Sequence, residues 1–550
     1  MVVRVAEMAI SRERACELFV LHESRHARKA LEFSSTLRIM NDQTYTRSTI
    51  WEADLDHRFC PYATSRAFNA AEGATVVEKF GQSFVWDESL HWTAEELEPL
   101  RLVGDEPMDR VLDSLDPAAG TDVFSELVDA AKKQPNGEAA LLLQDASQGA
   151  AEWVDWDLIA KGQAVFVRHM PAAGVVLYNM SLVGGFSAPK ITAVLERSGY
   201  LTAAPHAVMR RLFETGRLLV DSCATKDALR PFEAGWVSAL RVRILHAKVR
   251  RRLLRRQKQS GLSSSSSSPA SQSSKRDSTA PATAAAAAAA AAATAAPATA
   301  AAAAAAAATA ASSLEGAEST WDVAALGVPI NQEDMAVTLL AFSYNVLYGL
   351  ELILGEPLTE PDQLAYLHLW RYLGHLLGLR GEWNPCTPPP GVAPIVYAKA
   401  FLESIIVHQL HPNELSIRVA HHMLRAPAAA RRARRAAAPC AMPVSGGDAK
   451  GAGTVLLCDD QAYLHKTPSL RTDLAEAIAF THNAQLTRLL VGDALGDALQ
   501  LPFDPAARRA ARRRLRFLRL YAWASESWLI GGAIERLHRC VLRTVHQNCL

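Results

Sequence analysis

The stretch RVRILHAKVRRRLLRR, residues 241–256, decides the fold class, because its apolar residues recur at helical spacing. On a helix these residues fall on one narrow stripe: Val242, Leu245, Val249 and Leu253. That stripe contains one polar residue, His246, and the other face is almost all arginine. A buried imidazole loses its hydration, so it requires a carbonyl, a carboxylate or a metal as a partner. The stretch therefore predicts an amphipathic helix that buries a histidine.

Composition is typical of a globular protein. The 550 residues are 49% hydrophobic and 21% charged, and 58 basic residues nearly cancel 57 acidic ones. The whole molecule therefore offers no general attraction to polyanions, and any electrostatic partner must be local. The eight cysteines show no C-x-x-C spacing, which indicates thiols in a reducing compartment rather than a zinc site.

The N-terminal sequence MVVRVAEMAISRERACELF shows no targeting signal. Charged residues interrupt it, and the apolar core of a signal peptide is missing. Apart from the alanine tracts, which are barely hydrophobic, we find no uninterrupted apolar run of membrane-spanning length. We therefore expect an intracellular, cytoplasmic protein with no clear transmembrane helix.

Changes in composition divide the chain. Residues 257–313 are a serine block followed by alanine tracts, which predicts a disordered linker inserted into a folded domain. Residues 425–453 are basic and end in a glycine-rich run, which predicts a flexible loop. The remaining ranges have a helical pattern: an N-terminal extension (1–100), two parts of one domain (101–256 and 314–424) and a C-terminal part (454–550).

Several helical blocks have recognisable ends. Residues 188–220 predict two amphipathic helices divided at Gly199 and Pro205, and residues 332–354 predict one long apolar helix. Alternating β-type runs are scarce, and the short run AVFVRH, residues 164–169, fits a strand or a helix. The fold class is therefore all-α, a multi-helix domain interrupted by low-complexity inserts.

Two further residues could share a cofactor pocket with a buried histidine. Arg211 and Thr215, in RRLFETGR, lie four residues apart and share one helix face. Together with His246 they suit a haem pocket, with a nitrogen for iron and two donors for propionate or bound oxygen. The alternative is structural for each: a satisfied core histidine, a surface arginine, and a threonine bonded to its own backbone. The spacing permits both interpretations.

Other histidine pairs are weaker candidates. His368 and His375 lie seven residues apart and share a face, so a second axial ligand or a dimetal site stays open, but core histidines are the better interpretation. The match HESRH would let His22 and His26 hold zinc with Glu23 as base. No third ligand is evident beside it, and a solvated helix face is the alternative.

Three basic runs resemble nucleic-acid patches when taken in isolation: RRRLLRR, RRARR and ARRAARRRLRFLRL. They lie next to helix ends or low-complexity inserts, and few aromatic residues are interleaved with them. Solvated faces or loose contact with an anionic membrane fit better. We therefore expect no nucleic-acid partner and leave peripheral membrane contact open.

Six segments together resemble the rubber-oxygenase family, that is, the latex-clearing proteins and the fungal ER-bound oxygenase that shortens a farnesyl side chain. They are GDEPMDRVLDSL (104–115), GQAVFVRHMP (162–171), RRLFETGRLL (210–219), GWVSALRVRILHAKVRRRL (235–253), GVPINQEDMAVTLLAFS (327–343) and AYLHLWRYLGHLLG (365–378). Their order and extent, roughly residues 100 to 380, are similar to the family's catalytic domain. The resemblance implies that residues 101–256 and 314–424 are the two parts of that domain.

The resemblance also implies a cofactor and its ligands. It implies an all-α fold with a globin-like core around haem b, in which His246 is the proximal iron ligand. The family's Arg-x-x-x-Thr pair falls on Arg211 and Thr215, as catalytic and cofactor-binding residues. Some latex-clearing proteins have a lysine, a sixth haem ligand, directly before that threonine, whereas this chain has Glu214. The distal side is then expected to be open or water-bound.

The implied function is a haem-b-dependent oxygenase that cleaves a carbon–carbon double bond of an apolar, isoprenoid-type substrate with O2. Arg211 and Thr215 would orient the haem or bound oxygen, and Glu196 or Glu214 would be the base that removes an allylic proton. Two alternatives stay open, a non-catalytic haem-binding sensor and a helical scaffold protein without haem. The sequence specifies neither a redox partner nor an oligomeric state.

Overall fold

The structure, a computed structural model, describes residues 75–118, 120–148, 152–199, 201, 204–264, 321–437, 470–526 and 531–548. Its two strands are β1 (Thr75–Lys79) and β2 (Gln82–Trp86), which pair antiparallel with Thr75 opposite Trp86. The first helices are α1 (Ala94–Arg101), α2 (Glu106–Leu115), α3 (Val123–Lys133), α4 (Glu138–Gln148), α5 (Trp156–Val176), α6 (Pro189–Ser198), α7 (Pro205–Cys223) and α8 (Ala234–Ser264). A π-helical stretch, Leu177–Val183, continues α5.

The later helices follow the gap after residue 264. They are α9 (Val323–Leu326), α10 (Gln332–Phe342), α11 (Tyr344–Leu354), α12 (Glu360–Leu376), α13 (Pro394–Gln409), α14 (Glu414–Ala437), α15 (Leu470–Val491), α16 (Asp493–Ala498), α17 (Pro505–Glu526) and α18 (Gly531–Asn548), with a short 3-10 turn at Gly381–Trp383. The all-α prediction is confirmed, because the described strands form only one small hairpin.

Helix α5 lies at the centre of the core. Helices α11, α12, α17 and α18 pack against it, and α12 makes the most extensive contact. Gly162 of α5 permits this contact, because a Cβ at that position would collide with the carbonyl oxygen of Ala365 in α12. The two backbones therefore touch, and the run AVFVRH lies inside α5 as helix rather than strand.

Two predicted helix ends are confirmed. Helix α6 ends at Gly199, which adopts a left-handed φ of +68° that favours glycine. Helix α7 begins at Pro205, whose missing N–H costs nothing in the first turn of a helix.

Two helices continue past a predicted boundary. Helix α8 continues through Ser264, eight residues into the range 257–313, and α14 continues to Ala437 within the range 425–453. Arginine, lysine, glutamine and alanine are good helix formers, so these helices extend into segments whose overall composition predicted a linker and a loop. The disorder predicted for residues 265–313 lies outside the described residues and stays a prediction.

The N-terminal extension and the long apolar helix also differ from expectation. The β1–β2 hairpin lies in the extension predicted to be helical, and residues 1–74 lie outside the described part of the chain. The apolar run 332–354 is two helices, α10 and α11, which meet at Ser343 with non-helical dihedral angles of φ −99° and ψ −89°.

One described segment, Gln332–Leu354, is long and apolar enough to cross a membrane by length and composition, with a mean hydropathy of 1.6. Half of the segment is buried inside the protein, and core helices of soluble proteins pass the same test. The segment is weak evidence of a span, and the expected location in the cell stays a prediction.

Two arginines of α8 are buried in ion pairs with α2. Nε and Nη2 of Arg243 donate to the two carboxylate oxygens of Asp105, at 2.6 and 2.8 Å. Arg250 makes the same two-point contact with Asp109, at 2.8 and 3.0 Å, and its Nη1 donates to the Ile330 carbonyl at 2.8 Å. We call these four side chains the Arg–Asp clamp. The expectation of a solvated face for the run RRRLLRR was therefore wrong for Arg250, because an acidic partner on α2 compensates its charge.

The segments GDEPMD and GVPINQEDM meet at this clamp. The Gln332 side chain donates to the carbonyls of Gly104 and Gly378, at 3.0 and 3.1 Å, and accepts from the Arg380 N–H at 2.9 Å. Gly378 has a φ of +88°, and a Cβ there would collide with the Asp105 carboxylate. The start of α2, the start of α10 and the end of α12 are thus joined around the clamp.

Replacing Asp105 by asparagine is expected to lower the free energy of unfolding by about 3 to 5 kcal/mol, since it leaves a buried guanidinium without its counter-charge. The control is Glu138→Gln, which breaks the exposed Arg110–Glu138 pair and should cost less than about 1 kcal/mol. Urea unfolding followed by circular dichroism measures both. Equal losses in the two variants would contradict the structural importance of the clamp.

Candidate functional site

The buried face of α8 differs from the predicted stripe. Its buried side chains are Trp236, Ala239, Leu240, Arg243, Ile244, Ala247, Arg250 and Leu253. At 3.6 residues per turn, this set is rotated by roughly a third of a turn from the predicted one. Leu245 is 38% exposed, so its predicted burial was wrong. His246 lies between the two sets and is partly buried.

His246 has an unsatisfied ring nitrogen. Its Nδ1 is buried without a hydrogen-bond partner, so His246 does not match the satisfied core histidine that the sequence left as the alternative. Burial, aided by the charge of Arg250, lowers the pKa of His246 to about 4. The imidazole is therefore neutral at physiological pH, as a metal ligand must be.

Apolar side chains lie one and two turns beyond His246. Val249 and Leu253 pack with Ala193 and Val194 of α6 and with Trp321, in a small cluster separate from the main core. Helix α7 packs along α8 as well. These contacts place α6 and α7, the helices that carry the other predicted site residues, beside α8.

Arg211 and Thr215 lie on α7. The Arg211 Nη1 donates to the Glu214 carboxylate at 2.9 Å, and the Thr215 hydroxyl donates to the Arg211 carbonyl at 3.1 Å. The Arg211 side chain is largely buried, Glu214 is half-buried, and Thr215 is exposed. The geometry matches the local alternative for Thr215, whereas a largely buried Arg211 differs from the surface arginine of that alternative.

The second base candidate faces another helix. The Glu196 carboxylate of α6 accepts a hydrogen bond from Arg418 of α14, and both side chains are exposed. Glu214 and Glu196 therefore lie in two different ion pairs rather than in one site.

His368 and His375 are satisfied core histidines. The Nε2 of His368 accepts from the Asp155 N–H at 2.9 Å, and the Nε2 of His375 lies 3.2 Å from the Asp145 carbonyl. Trp153 packs edge-on against both rings. The structure thus favours the core interpretation of this pair, as expected.

The HESRH motif lies outside the described residues. In the part of the chain that the structure describes, no group of three or more His, Cys, Asp or Glu side chains is placed to hold a metal ion. A haem iron differs from such a site, because its porphyrin supplies four ligands and the protein needs to supply only one.

His169 of α5 is a residue whose position sequence reasoning missed. It is fully buried, neither ring nitrogen has a hydrogen bond, and the nearest carboxylate oxygen, of Glu526, lies 3.6 Å away. Burial lowers the pKa of His169 to about 4. Helical periodicity could have placed it, since Val165, Phe166 and Ala173 share its buried environment.

A backbone gap in α5 lies beside His169. Pro171 has no N–H, so the carbonyl of Val167 lacks its partner within the helix. The Nδ1 of His538 in α18 donates to that carbonyl at 2.7 Å, and the Nε2 of His538 lies 2.8 Å from the Tyr521 hydroxyl. The last two helices are thus bonded to the backbone of the central helix.

A cavity of about 300 Å³ lies at the Arg–Asp clamp, with a polar lining that includes Asp105, Arg243, Gln332 and His375. His246, Arg211 and Thr215 do not line it. This cavity is therefore separate from the predicted iron ligand.

Comparison with known proteins finds one family. The family model for "ER-bound oxygenase mpaB/B'/Rubber oxygenase, catalytic domain" matches residues 282–525, which is less than half of the chain. The resemblance to this family is confirmed, and the segments 327–343 and 365–378 lie within the match. His246, Arg211 and Thr215 precede the matched residues, so their roles stay predictions.

One solved structure, of latex clearing protein LCP in the closed state, is similar at 16% identity and a TM-score of 0.43, and the match covers 84% of this chain and 95% of that chain. No curated protein sequence matches the chain.

Because His169 is buried and neutral in the folded protein, we expect the free energy of unfolding to depend on pH. Its pKa is about 4 in the folded protein and 6.5 in the unfolded chain, so the unfolded state binds more protons between these values. The free energy of unfolding should therefore decrease as the pH falls from 6.5 to about 4, by up to about 3 kcal/mol for this residue.

Urea unfolding at pH 7 and pH 4.5 measures this effect. His169→Phe, which cannot titrate, should show a smaller loss at pH 4.5 than the unmodified protein. The exposed His411 provides the control, since His411→Gln should leave the loss unchanged. A loss in the His169 variant as large as that of the unmodified protein would contradict the buried neutral state.

Proposed function

We propose that this protein, similar to the catalytic domain of ER-bound and rubber oxygenases, is a haem-b-dependent oxygenase that cleaves a carbon–carbon double bond of an apolar substrate with O2. An isoprenoid is the substrate class that the family resemblance favours. The observation that carries the proposal is His246, a neutral imidazole with a buried nitrogen that lacks a hydrogen-bond partner, at the position that the family resemblance assigns to the iron ligand. Such a side chain is suited to ligate iron.

The predicted site residues have the chemistry that a haem requires. His246 would hold the iron, and the largely buried guanidinium of Arg211 would pair with a propionate or orient bound oxygen. When bound, haem b supplies an iron that binds and activates O2. The apolar cluster of Ala193, Val194, Leu253 and Trp321, which includes a residue two turns beyond His246 on α8, would suit an apolar substrate.

We infer that Glu214, rather than Glu196, takes up the allylic proton. Glu214 is half-buried and lies three residues from Arg211, whose Nη1 donates to it at 2.9 Å. This contact fixes the carboxylate at one place on α7. Glu196 is paired with the more exposed Arg418, where a proton would exchange directly with water.

His246→Ala should lower haem occupancy at least about tenfold, because second-sphere losses alone cost that much in metal sites and this change removes the ligand itself. The Soret absorbance per protein measures occupancy after reconstitution with haem b. His375→Ala and His169→Ala are the controls, and both should keep the Soret band. Loss of the band in a control variant but not in His246→Ala would overturn the iron ligand, and a protein that takes up no haem would support the scaffold alternative.

Arg211→Ala and Thr215→Ala should each reduce turnover about tenfold or more, since a positioned donor in an active site is worth at least that. The unfolding midpoint should change little. Oxygen consumption with squalene, an unsaturated isoprenoid, measures turnover. Arg210→Ala, which removes the exposed neighbour, is the control. Full activity in both variants would leave Arg211 and Thr215 as ordinary helix residues, and haem uptake without oxygen consumption would favour the sensor.

A further inference from the structure

The outward face of α17 carries a row of large apolar side chains. Phe517, Leu520 and Trp523 recur every three residues and are 47%, 66% and 72% exposed. The inward face of the same helix is packed through Ala511, Leu515, Leu518 and Ala522. Isolated exposed apolar residues are ordinary, but a row of three on one helix marks a contact surface.

The same outward face is basic at its other end. Arg513 and Arg509 are exposed one turn and two turns before Phe517, respectively, on the same side of the helix. Helix α17 holds seven arginines and one acidic residue, in a protein with a net charge of only +1. Helix α17 is therefore strongly basic, and its charge lies next to the exposed apolar row.

Helix α15 adds to the apolar end of this surface. It packs along α17. His482 lies near Arg514, and six residues later Arg488 shares the Asp493 carboxylate with Arg508. Positions that advance along α15 thus meet positions that recede along α17, so the two helices are antiparallel. Leu474 and Ile478 of α15 therefore lie at the same end as Leu520 and Trp523. Both are about 60% exposed.

We propose that this surface, which we call the α15–α17 face, docks on a bilayer that contains anionic lipid. It comprises Arg509, Arg513, Phe517, Leu520 and Trp523 of α17 with Leu474 and Ile478 of α15. Exposed arginines pair with lipid phosphates, and the apolar side chains enter the boundary between headgroups and acyl chains. Tryptophan favours that boundary because its indole ring is largely apolar and carries one polar N–H group.

The composition of the face favours lipid over nucleic acid. A nucleic acid would neutralise the arginines but would leave the row Phe517, Leu520 and Trp523 beside a charged backbone. A membrane surface satisfies both ends of the face at once, because it offers negative charge and an apolar interior within a few ångströms. The proposal does not depend on haem or on turnover.

The experiment is co-sedimentation of the full chain with vesicles of phosphatidylcholine alone or with one fifth phosphatidylserine. We expect at least tenfold tighter binding to the anionic vesicles, weakened by added salt. The variant Phe517→Ser/Leu520→Ser/Trp523→Ser should lose binding to both vesicles. The variant Arg509→Glu/Arg513→Glu should lose the preference for anionic vesicles.

A matched control distinguishes binding through this face from nonspecific binding through any exposed apolar side chain. Leu102, Leu141 and Val396 are similarly exposed on other helices or turns, and replacing all three by serine should leave vesicle binding unchanged. Circular dichroism and the unfolding midpoint check that each variant is folded.

Three results would overturn the proposal. They are failure to bind anionic vesicles, equal binding by the unmodified protein and both α17 variants, and binding of duplex DNA or RNA in place of vesicles. Concentration-dependent dimerisation that the serine variant abolishes, without vesicle binding, would also overturn it and assign the face to a second copy of the chain. None of these results bears on haem content, so they leave the proposed function untouched.

Discussion

The desolvation of two guanidinium groups governs how α8 is placed. Arg243 and Arg250 lie on the buried face of α8, where an unpaired charge would cost several kcal/mol. Each is compensated by a two-point contact with an aspartate of α2. Because a planar guanidinium meets a carboxylate in only a few geometries, two such contacts seven residues apart fix both the rotation and the height of α8.

The position of His246 follows from this constraint. His246 lies between the two arginines in sequence, so the rotation that buries them leaves its ring at the edge of the buried face. The charge of Arg250 also contributes to its lowered pKa. Asp105 caps the start of α2 through a side-chain contact to the Met108 N–H, and Gln332 ties the same region to α12. The site therefore rests on one buried polar network.

The sequence predicted the helices better than their faces. Gly199 and Pro205 act through their own backbones, so the boundary between α6 and α7 could be read locally. The rotation of α8 could not be predicted locally. A pattern in which arginine counts as exposed does not include its pairing with Asp105 and Asp109, which lie more than 130 residues away in sequence. The helical pattern identified His246 and the family resemblance assigned its role, whereas its unpaired Nδ1 and the burial of His169 became visible only in the folded chain.

The hydrogen bond between His538 and the Val167 carbonyl bears on the order of folding. It joins residues 371 positions apart, and it supplies the donor that Pro171 withholds from the central helix. Contacts of such long sequence separation form late, since the chain between them must first lose its freedom. The Val167 carbonyl therefore gains this donor only after α18 has been synthesised and has packed against α5.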